Sequence, residues 1–346
     1  MKIAVLAGGT STEREVSLVS GMEVYKALKA KGHSVVLVDV YLGCPGVDPE
    51  KVFELDRDWT AGIKAIGEES PELDEIKALR ADGDKHFCGP NIMEICEASD
   101  IVFMALHGAN GEDGKLQAMF ELNGIAYTGE DHVSSAVCMD KALGRAVMAA
   151  AGVPVPKGRE LRIGEDPSKI EYPAVVKVNN GGSSVGVYFV DNDKEFADAI
   201  DKAKKYCDRV VIEKRIIGRE FTCGLIDGKA LPIVEIKPIE GGYDYKNKYQ
   251  PGKTNEICPA PLDEEQTLKI QRCAEKAGKA LHLNVYARLD FLMDGDGEIY
   301  CLEANTLPGM TPVSLIPQEA AAVGMGFGDL CEKIIEVSLK ARQTDH

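Results

Sequence analysis

The stretch from Lys2 to Asp39 limits the fold of this chain more than any other. Lys2 to Ala7 form a short apolar run rich in β-formers that halts at Gly8-Gly9-Thr10, the pattern of a buried strand entering a glycine turn. Val16, Val19, Ser20, Met22, Val24 and Leu28 then give a helical apolar stripe, and His33 to Asp39 read as a second strand. A strand, a helix and a strand in that order pair the strands in parallel through a right-handed crossover. The chain therefore opens as an α/β unit.

At 346 residues it is too long for one core, since compact domains hold roughly 100 to 200 residues. After Asp39, residues 41 to 90 are acidic and weakly periodic and read as a peripheral excursion. The pattern resumes with a strand at Ile101 to Leu106, ending at His107-Gly108, and a helix from Gly114 to Asn123; the first domain closes near Gly129. A helix is expected from Met139 to about Ala151, then a Pro-containing break at Val153 to Pro156. Strands follow at Pro173 to Val178, Gly186 to Val190 and Arg209 to Glu213, with a helix at Lys194 to Lys205. The remainder predicts strands near Phe221 to Ile226 and Leu231 to Ile236, and a helix from Glu264 to Leu281. Strands at Asn284 to Leu292 and Ile299 to Ala304 close the pattern, joined as an antiparallel hairpin through Asp294-Gly295-Asp296-Gly297.

A net charge of −16 and a pI near 4.9 argue against a nucleic-acid-binding surface, which needs a basic face to displace counterions. No run approaches the roughly 20 apolar residues that span a bilayer, and the opening apolar run is too short for a secretory signal. The ten cysteines contain no C-x-x-C pair and read as reduced thiols. Together these features predict a cytoplasmic protein that partners neither nucleic acid nor membrane.

Several residues can carry chemistry. Strand alternation puts Arg288 and Asp290 on one face of their strand, and Glu303 and Asn305 on one face of the next. Paired in a hairpin, the four offer hard oxygen ligands for Mg²⁺ and an anion clamp; an ordinary charged hairpin has the same spacing. Lys177 stands at a strand end before Val178-Asn179-Asn180-Gly181-Gly182-Ser183-Ser184-Val185-Gly186, a loop able to approach phosphate. It lacks the Walker A order, and plain hairpins also carry such loops. Gly8-Gly9-Thr10-Ser11 lacks the G-x-G-x-x-G of a dinucleotide fold; Glu13 behind it is a helix-dipole partner or a ligand for a substrate ammonium. Tyr243-Asp244-Tyr245-Lys246-Asn247-Lys248-Tyr249 has the make-up of a lid over an active site, or of an exposed loop.

Taken together, Gly8 to Ser17 and Ala105 to Gly114 resemble the N-terminal signatures of D-alanine–D-alanine ligases. Met139-Asp140-Lys141, Lys177 to Gly186, Tyr243 to Tyr249, Arg288-Leu289-Asp290-Phe291 and Glu303-Ala304-Asn305-Thr306-Leu307-Pro308-Gly309-Met310-Thr311 resemble that family's ATP-grasp segments, in the same order. The resemblance implies an α/β and α+β fold: a Rossmann-like N-terminal substrate domain over residues 1–130, a central ATP-grasp domain over 131–212 and a C-terminal ATP-grasp catalytic domain over 213–346. It implies ATP-dependent ligation of two D-alanines through a D-alanyl phosphate, for peptidoglycan precursor synthesis and hence cell shape, and a homodimeric enzyme. Lys141, Lys177 and Lys248 would meet ATP phosphates, with Glu213, Ile216 and Glu220 lining the adenine and ribose pocket. Asp290, Glu303 and Asn305 would hold two Mg²⁺ ions, for which Mn²⁺ can substitute. Glu13 would take the first D-alanine's ammonium, clustered with Ser183 and Tyr249, and His107 would lie near its carboxylate. Ser314 and Leu315 would hold the acceptor, and Arg288 with the Gly309 amide would stabilise the oxyanion. Val178 and Glu130 depart from the family's usual residues, which leaves D-serine or D-lactate open as acceptor, although Tyr249 favours an amine. An ATP-grasp ligase of unrelated acid and amine, or a nucleotide-binding regulator without turnover, are the other readings.

Overall fold

The computed structural model describes residues 1–67, 71–80, 86–182, 186–239 and 252–343, which form three sheets. In the first, β1 (Lys2–Ala7), α1 (Arg14–Ala30), β2 (Ser34–Asp39) and, after the excursion, β3 (Ile101–Met104) make a parallel sheet in the order β2-β1-β3. The βαβ opening is thus present, and β1 is the central strand, buried from Ile3 to Ala7 as its unbroken apolar run requires. The excursion carries a 3₁₀ turn at Val52–Glu54 and helices α2 (Leu73–Ala78) and α3 (Ile92–Glu97), each too short to show a helical period in sequence. Val52, Trp59 and Ile92 nonetheless join the first core.

Beyond α4 (Lys115–Leu122) come α5 (His132–Met139), which the sequence reading does not include, and α6 (Lys141–Ala150), the helix expected from Met139 to about Ala151. Asp131 caps α5 through the Ser134 N–H at 2.7 Å. Asp140 ends α5 and caps α6 through the Leu143 N–H at 2.9 Å, while Arg209 donates to its other oxygen at 2.9 Å. That joint places Lys141 in the first turn of α6.

The second sheet is antiparallel, ordered β4-β7-β5-β6, from β4 (Gly158–Arg162), β5 (Ala174–Val178), β6 (Val187–Val190) and β7 (Arg209–Lys214), with α7 (Asp193–Ala203) between the last two strands in sequence. Ala174, Val176 and Val178 pack with Phe196, Ala199 and Ala203 of α7, so alternation turns Lys177 to the opposite face.

The third sheet runs β11-β10-β8-β12-β13, from β8 (Gly218–Ile226), the two-residue β9 (Lys229–Ala230) on β8, β10 (Val234–Pro238), β11 (Thr254–Ile257), β12 (Tyr286–Asp294) and β13 (Ile299–Asn305). One face packs on α8 (Glu264–Ala280), whose start is fixed by a capping box between Asp263 and Gln266. Ala287, Leu289, Phe291 and Met293 meet Ile270, Cys273, Ala274 and Ala277 there. Burying Phe221 and Phe291 in this layer contributes roughly 1.5–3 kcal/mol each. The same alternation turns Arg288 and Asp290 away from α8. Last come α9 (Leu315–Ala322) and α10 (Phe327–Gln343); α10 returns to α1, and its Leu330, Cys331 and Ile334 complete the core of the first sheet.

Candidate active site

The hairpin of β12 and β13 is antiparallel, its turn closed by the Gly297 N–H on the Asp294 carbonyl at 3.1 Å. The register pairs Arg288 with Asn305 and Asp290 with Glu303, before a bulge that follows Asp290. The four side chains singled out by alternation are therefore neighbours. Arg288 grips Asp290 with Nε and Nη2, each at 2.9 Å, and Asn305 Nδ2 donates to the same carboxylate at 3.1 Å. Thr222, fully buried on β8 opposite Asp290, adds its hydroxyl at 2.8 Å. Four donors thus fix one carboxylate of the hairpin.

The other carboxylate reaches across the molecule. Glu303 Oε2 lies 2.7 Å from the Lys141 Nζ, which also donates to the Gly181 carbonyl at 3.0 Å. Beside them Lys177 pairs with Glu213 at 2.7 Å, a diagonal contact between β5 and β7, and Arg145 lies 3.5 Å from the second Glu213 oxygen. Ile216 and Glu220 lie half-buried just beyond. The face between the second and third sheets is therefore lined by cation–carboxylate pairs: Lys141–Glu303, Lys177–Glu213 and Arg288–Asp290.

At the end of β3, His107 is buried with both ring nitrogens engaged. Nδ1 meets the Leu307 carbonyl at 2.8 Å and must carry the proton; Nε2 lies 3.1 Å from the Ser20 hydroxyl. Burial holds its pKa below the usual histidine value, against the pull of Glu13, so the ring is neutral and Nε2 accepts from Ser20. Ser20 in turn accepts the Met310 N–H at 3.4 Å. His107 thereby ties α1 to the loop carrying Gly309. Glu112 ties the turn after His107 to the same loop, its two oxygens taking the N–H groups of Gly108 at 3.1 Å and Leu307 at 3.4 Å. Burial, then the charge of Glu13, pushes its carboxyl up to about 7.

Glu13 is buried at the N-cap of α1, and the glycine loop runs against it: a Cβ at Gly182 would stand 2.5 Å from its carboxylate. The amides of the Gly8-Gly9 turn are engaged internally, Gly8 with the Ser17 hydroxyl at 2.8 Å, which leaves no dinucleotide loop there. Ser314 stands at the N-cap position of α9 without a side-chain capping bond, its hydroxyl pairing with Thr311 at 2.8 Å. A cavity of about 150 Å³ brings together Glu13, His107, Arg288, Asn305, Gly309, Ser314 and Leu315, with Glu112 and Glu256 in the same wall. Ser183, Lys248 and Tyr249, and with them the lid motif, lie outside the described residues. Reading the sequence missed Glu112 and Thr222 as site residues. Glu112 stands in the His107 to Gly114 motif already singled out, whereas Thr222 is exposed only by the β8–β12 register.

Residues 2–130 match the family described as D-ala D-ala ligase N-terminus, and residues 156–336 the one described as D-ala D-ala ligase C-terminus. The chain belongs to the D-alanine–D-alanine ligase family. A ligase of that name from Pediococcus pentosaceus is 40% identical over 342 residues, covering 97% of each chain, and one from Lacticaseibacillus casei is 39% identical over 98% of this chain and 96% of its own. Among solved structures, the Bacillus anthracis D-alanine–D-alanine ligase complexed with ATP aligns with a TM-score of 0.77 at 32% identity, covering 100% of this chain and 99% of its own. The VanG D-Ala:D-Ser ligase from Enterococcus faecalis aligns at 0.74 and 29%, over 97% and 99%. The family accounts for the fold: its ATP-grasp members share the mixed sheets and helices described above.

Proposed function

We propose that this ligase joins two D-alanines with ATP, through a D-alanyl phosphate, and that the product enters peptidoglycan synthesis. The observation that carries the reading is the hairpin register, which sets Asp290 beside Glu303 and Arg288 beside Asn305, with Lys141 on Glu303 from the opposite side. A carboxylate is a poor electrophile. Its oxygen attacks the γ-phosphorus, ADP leaves, and the mixed anhydride so formed carries phosphate as a good leaving group. The second amine then attacks the acyl carbon, loses a proton, and expels phosphate as the amide forms.

The donor set suits Mg²⁺. Among the described residues no group of three or more His, Cys, Asp or Glu could cage a metal. Two carboxylates and the amide oxygen of Asn305 are instead the sparse, all-oxygen set that Mg²⁺ takes when water and phosphates complete its shell. Two such ions, or Mn²⁺, would neutralise the β- and γ-phosphate charge during transfer. The paired cations suit an acidic chain that admits a nucleotide triphosphate: Lys141 would exchange Glu303 for phosphate as Glu303 takes metal, and Lys177 would exchange Glu213 for phosphate as Glu213 turns to the adenosine.

We assign Lys141, Lys177 and Lys248 to the phosphates and Glu213, Ile216 and Glu220 to the adenosine, with residues 131–212 and 213–346 as the two walls of its cleft. Glu13, supported by Ser183 and Tyr249, binds the donor ammonium. The Arg288 guanidinium and Gly309 amide face the developing oxyanion, and the amides at the start of α9 with Ser314 take the acceptor carboxylate. His107 and Glu112 position the loop between these groups. A homodimer in the cytoplasm completes the reading; all ten cysteines are free thiols, and no described helix is long and apolar enough to cross a membrane.

The test is incubation with Mg-ATP and D-alanine, then with D-serine or D-lactate added, following ADP and phosphate release and separating the products. Dipeptide from D-alanine alone, in step with phosphate, is the expected result. Phosphate release without dipeptide, or product only with D-serine or D-lactate, would overturn it.

A further inference from the structure

Glu319 is fully buried on α9, the helix that Ser314 and Leu315 open, and none of the chemistry above uses it. Its Oε2 accepts the Gly224 N–H at 2.8 Å, while Oε1 is buried with no hydrogen-bond partner among the described residues. Gly224 is the β8 residue directly opposite Arg288. On its other edge β8 pairs with β9 at Leu225 and Ile226 and with β10 from Glu220 to Thr222, so Gly224 falls in a gap of the ladder. There its carbonyl accepts the Leu231 N–H at 2.8 Å, and Glu319 supplies the acceptor that the missing strand residue would have given its N–H. Glycine is required for this approach, because a Cβ at 224 would lie 2.2 Å from Glu319 Oε2.

We propose that Glu319 is a positioning residue that fixes the acceptor-binding end of α9 against the strand facing Arg288, so that the acceptor and the oxyanion clamp keep one spacing. The proposal rests on the ligase reading and extends it to the acceptor half of the site. Ser314 and Leu315 lie one helical turn before Glu319, on the part of α9 that lines the cavity with Arg288. A buried tie at that distance sets where the acceptor sits, without touching either substrate. Burial pushes the Glu319 carboxyl well above the usual range, against the pull of Arg288, so it serves as a neutral acceptor and glutamine is its isostere.

The experiment compares Glu319→Gln, Glu319→Asp and Glu319→Leu with the unaltered chain. It measures kcat, KM for ATP, KM for D-alanine as donor and as acceptor, thermal midpoint, and hydrogen exchange at the Gly224 amide. Glu319→Gln keeps all of these within twofold. Glu319→Leu and Glu319→Asp, which cannot reach the Gly224 N–H, raise the acceptor KM about tenfold and lower kcat, with ATP and donor KM within twofold and faster exchange at Gly224. The proposal falls if Glu319→Asp and any folded Glu319→Leu lower only the thermal midpoint, if all KM values move together, or if Glu319→Gln loses as much as Glu319→Asp. Absence of dipeptide from the unaltered chain would refute the ligase reading instead, and the Gly224 exchange rate still reports on the tie.

Discussion

Replacing Arg288 with alanine separates the roles given to the hairpin, because its guanidinium makes two contacts of different kinds. Toward the cleft it is assigned to the oxyanion, and one such donor is worth about 10² to 10³ in turnover, or roughly 2.7–4 kcal/mol. Toward the protein it holds Asp290 through two bonds of 2.9 Å. Asp290 retains Thr222 at 2.8 Å and Asn305 at 3.1 Å after the change, so its carboxylate keeps its place. It loses its cation, however, and removing one partner of a buried pair typically costs about 3–5 kcal/mol of stability. Both Arg288 and Asp290 are nearly enclosed, with side chains 14% and 11% exposed. Arg288→Ala should therefore cut kcat at least 100-fold, change the KM for ATP less than threefold, and lower the thermal midpoint. That drop should narrow in Mg-ATP, where metal restores the positive charge beside Asp290. Arg288→Lys, which returns the charge without the planar fork, should recover the midpoint more than the turnover. Turnover of Arg288→Ala within tenfold of the parent, measured by dipeptide chromatography, would refute the oxyanion assignment.

Other outcomes follow from the same geometry. Gly182→Ala, whose Cβ would press within 2.5 Å of the Glu13 carboxylate, should raise the donor KM for D-alanine severalfold and leave the thermal midpoint within a degree or two; an unchanged donor KM would separate the loop from Glu13. Chelation with EDTA should abolish ADP release, and Mn²⁺ should restore it as Mg²⁺ does; activity in metal-free buffer would remove Asp290, Glu303 and Asn305 from metal binding. Glu130 is buried with its carboxyl pushed up to about 8, despite the Asn284 and Val285 N–H groups at 2.8 and 2.9 Å. Its folded pKa thus lies above the unfolded value near 4.5, so the folded chain holds a proton that the unfolded chain has released. Its contribution to stability should fall as pH rises from about 4.5 to about 8, by at most about 5 kcal/mol, and be constant outside that window. Denaturant titrations of Glu130→Gln should show a weaker decline over that range. Parallel slopes for the two proteins would mean that Glu130 does not hold the proton.

The legible parts of the fold were those whose signal is local. The run from Ile3 to Ala7, the stripe of α1 and the Asp294 to Gly297 turn each state their structure within a few residues. Alternation alone placed Arg288 with Asp290 and Glu303 with Asn305, and the hairpin register then made neighbours of the two pairs. Where the sequence was silent, the determining contact was distant. At the joint of α5 and α6, Arg209 reaches Asp140 from β7, and the helices of residues 41–90 are too short to show a period. Glu130 looked like a departure from a motif; in the structure it accepts two backbone N–H groups contributed by residues 284 and 285.

Thr222, Glu112 and Glu319 share one property that explains why residue type and spacing did not single them out for a role. None is assigned to a substrate or metal; each supports a residue that is, or the backbone beside one. Thr222 holds Asp290, Glu112 holds the start of the Leu307 to Gly309 loop, and Glu319 holds the strand residue opposite Arg288. A group assigned to substrate or metal is constrained by the chemistry it performs, so its residue type and spacing recur and can be read as a motif. A supporting group is constrained only by the distance it must bridge and the backbone atom it must satisfy, which different side chains can do from different elements. On the proposed reading, such pairing would let a net-acidic chain keep lysines in place for phosphate and an arginine for the oxyanion. The cations are held beside carboxylates of their own, and one of these, Asp290, is fixed further by the neutral donors Thr222 and Asn305.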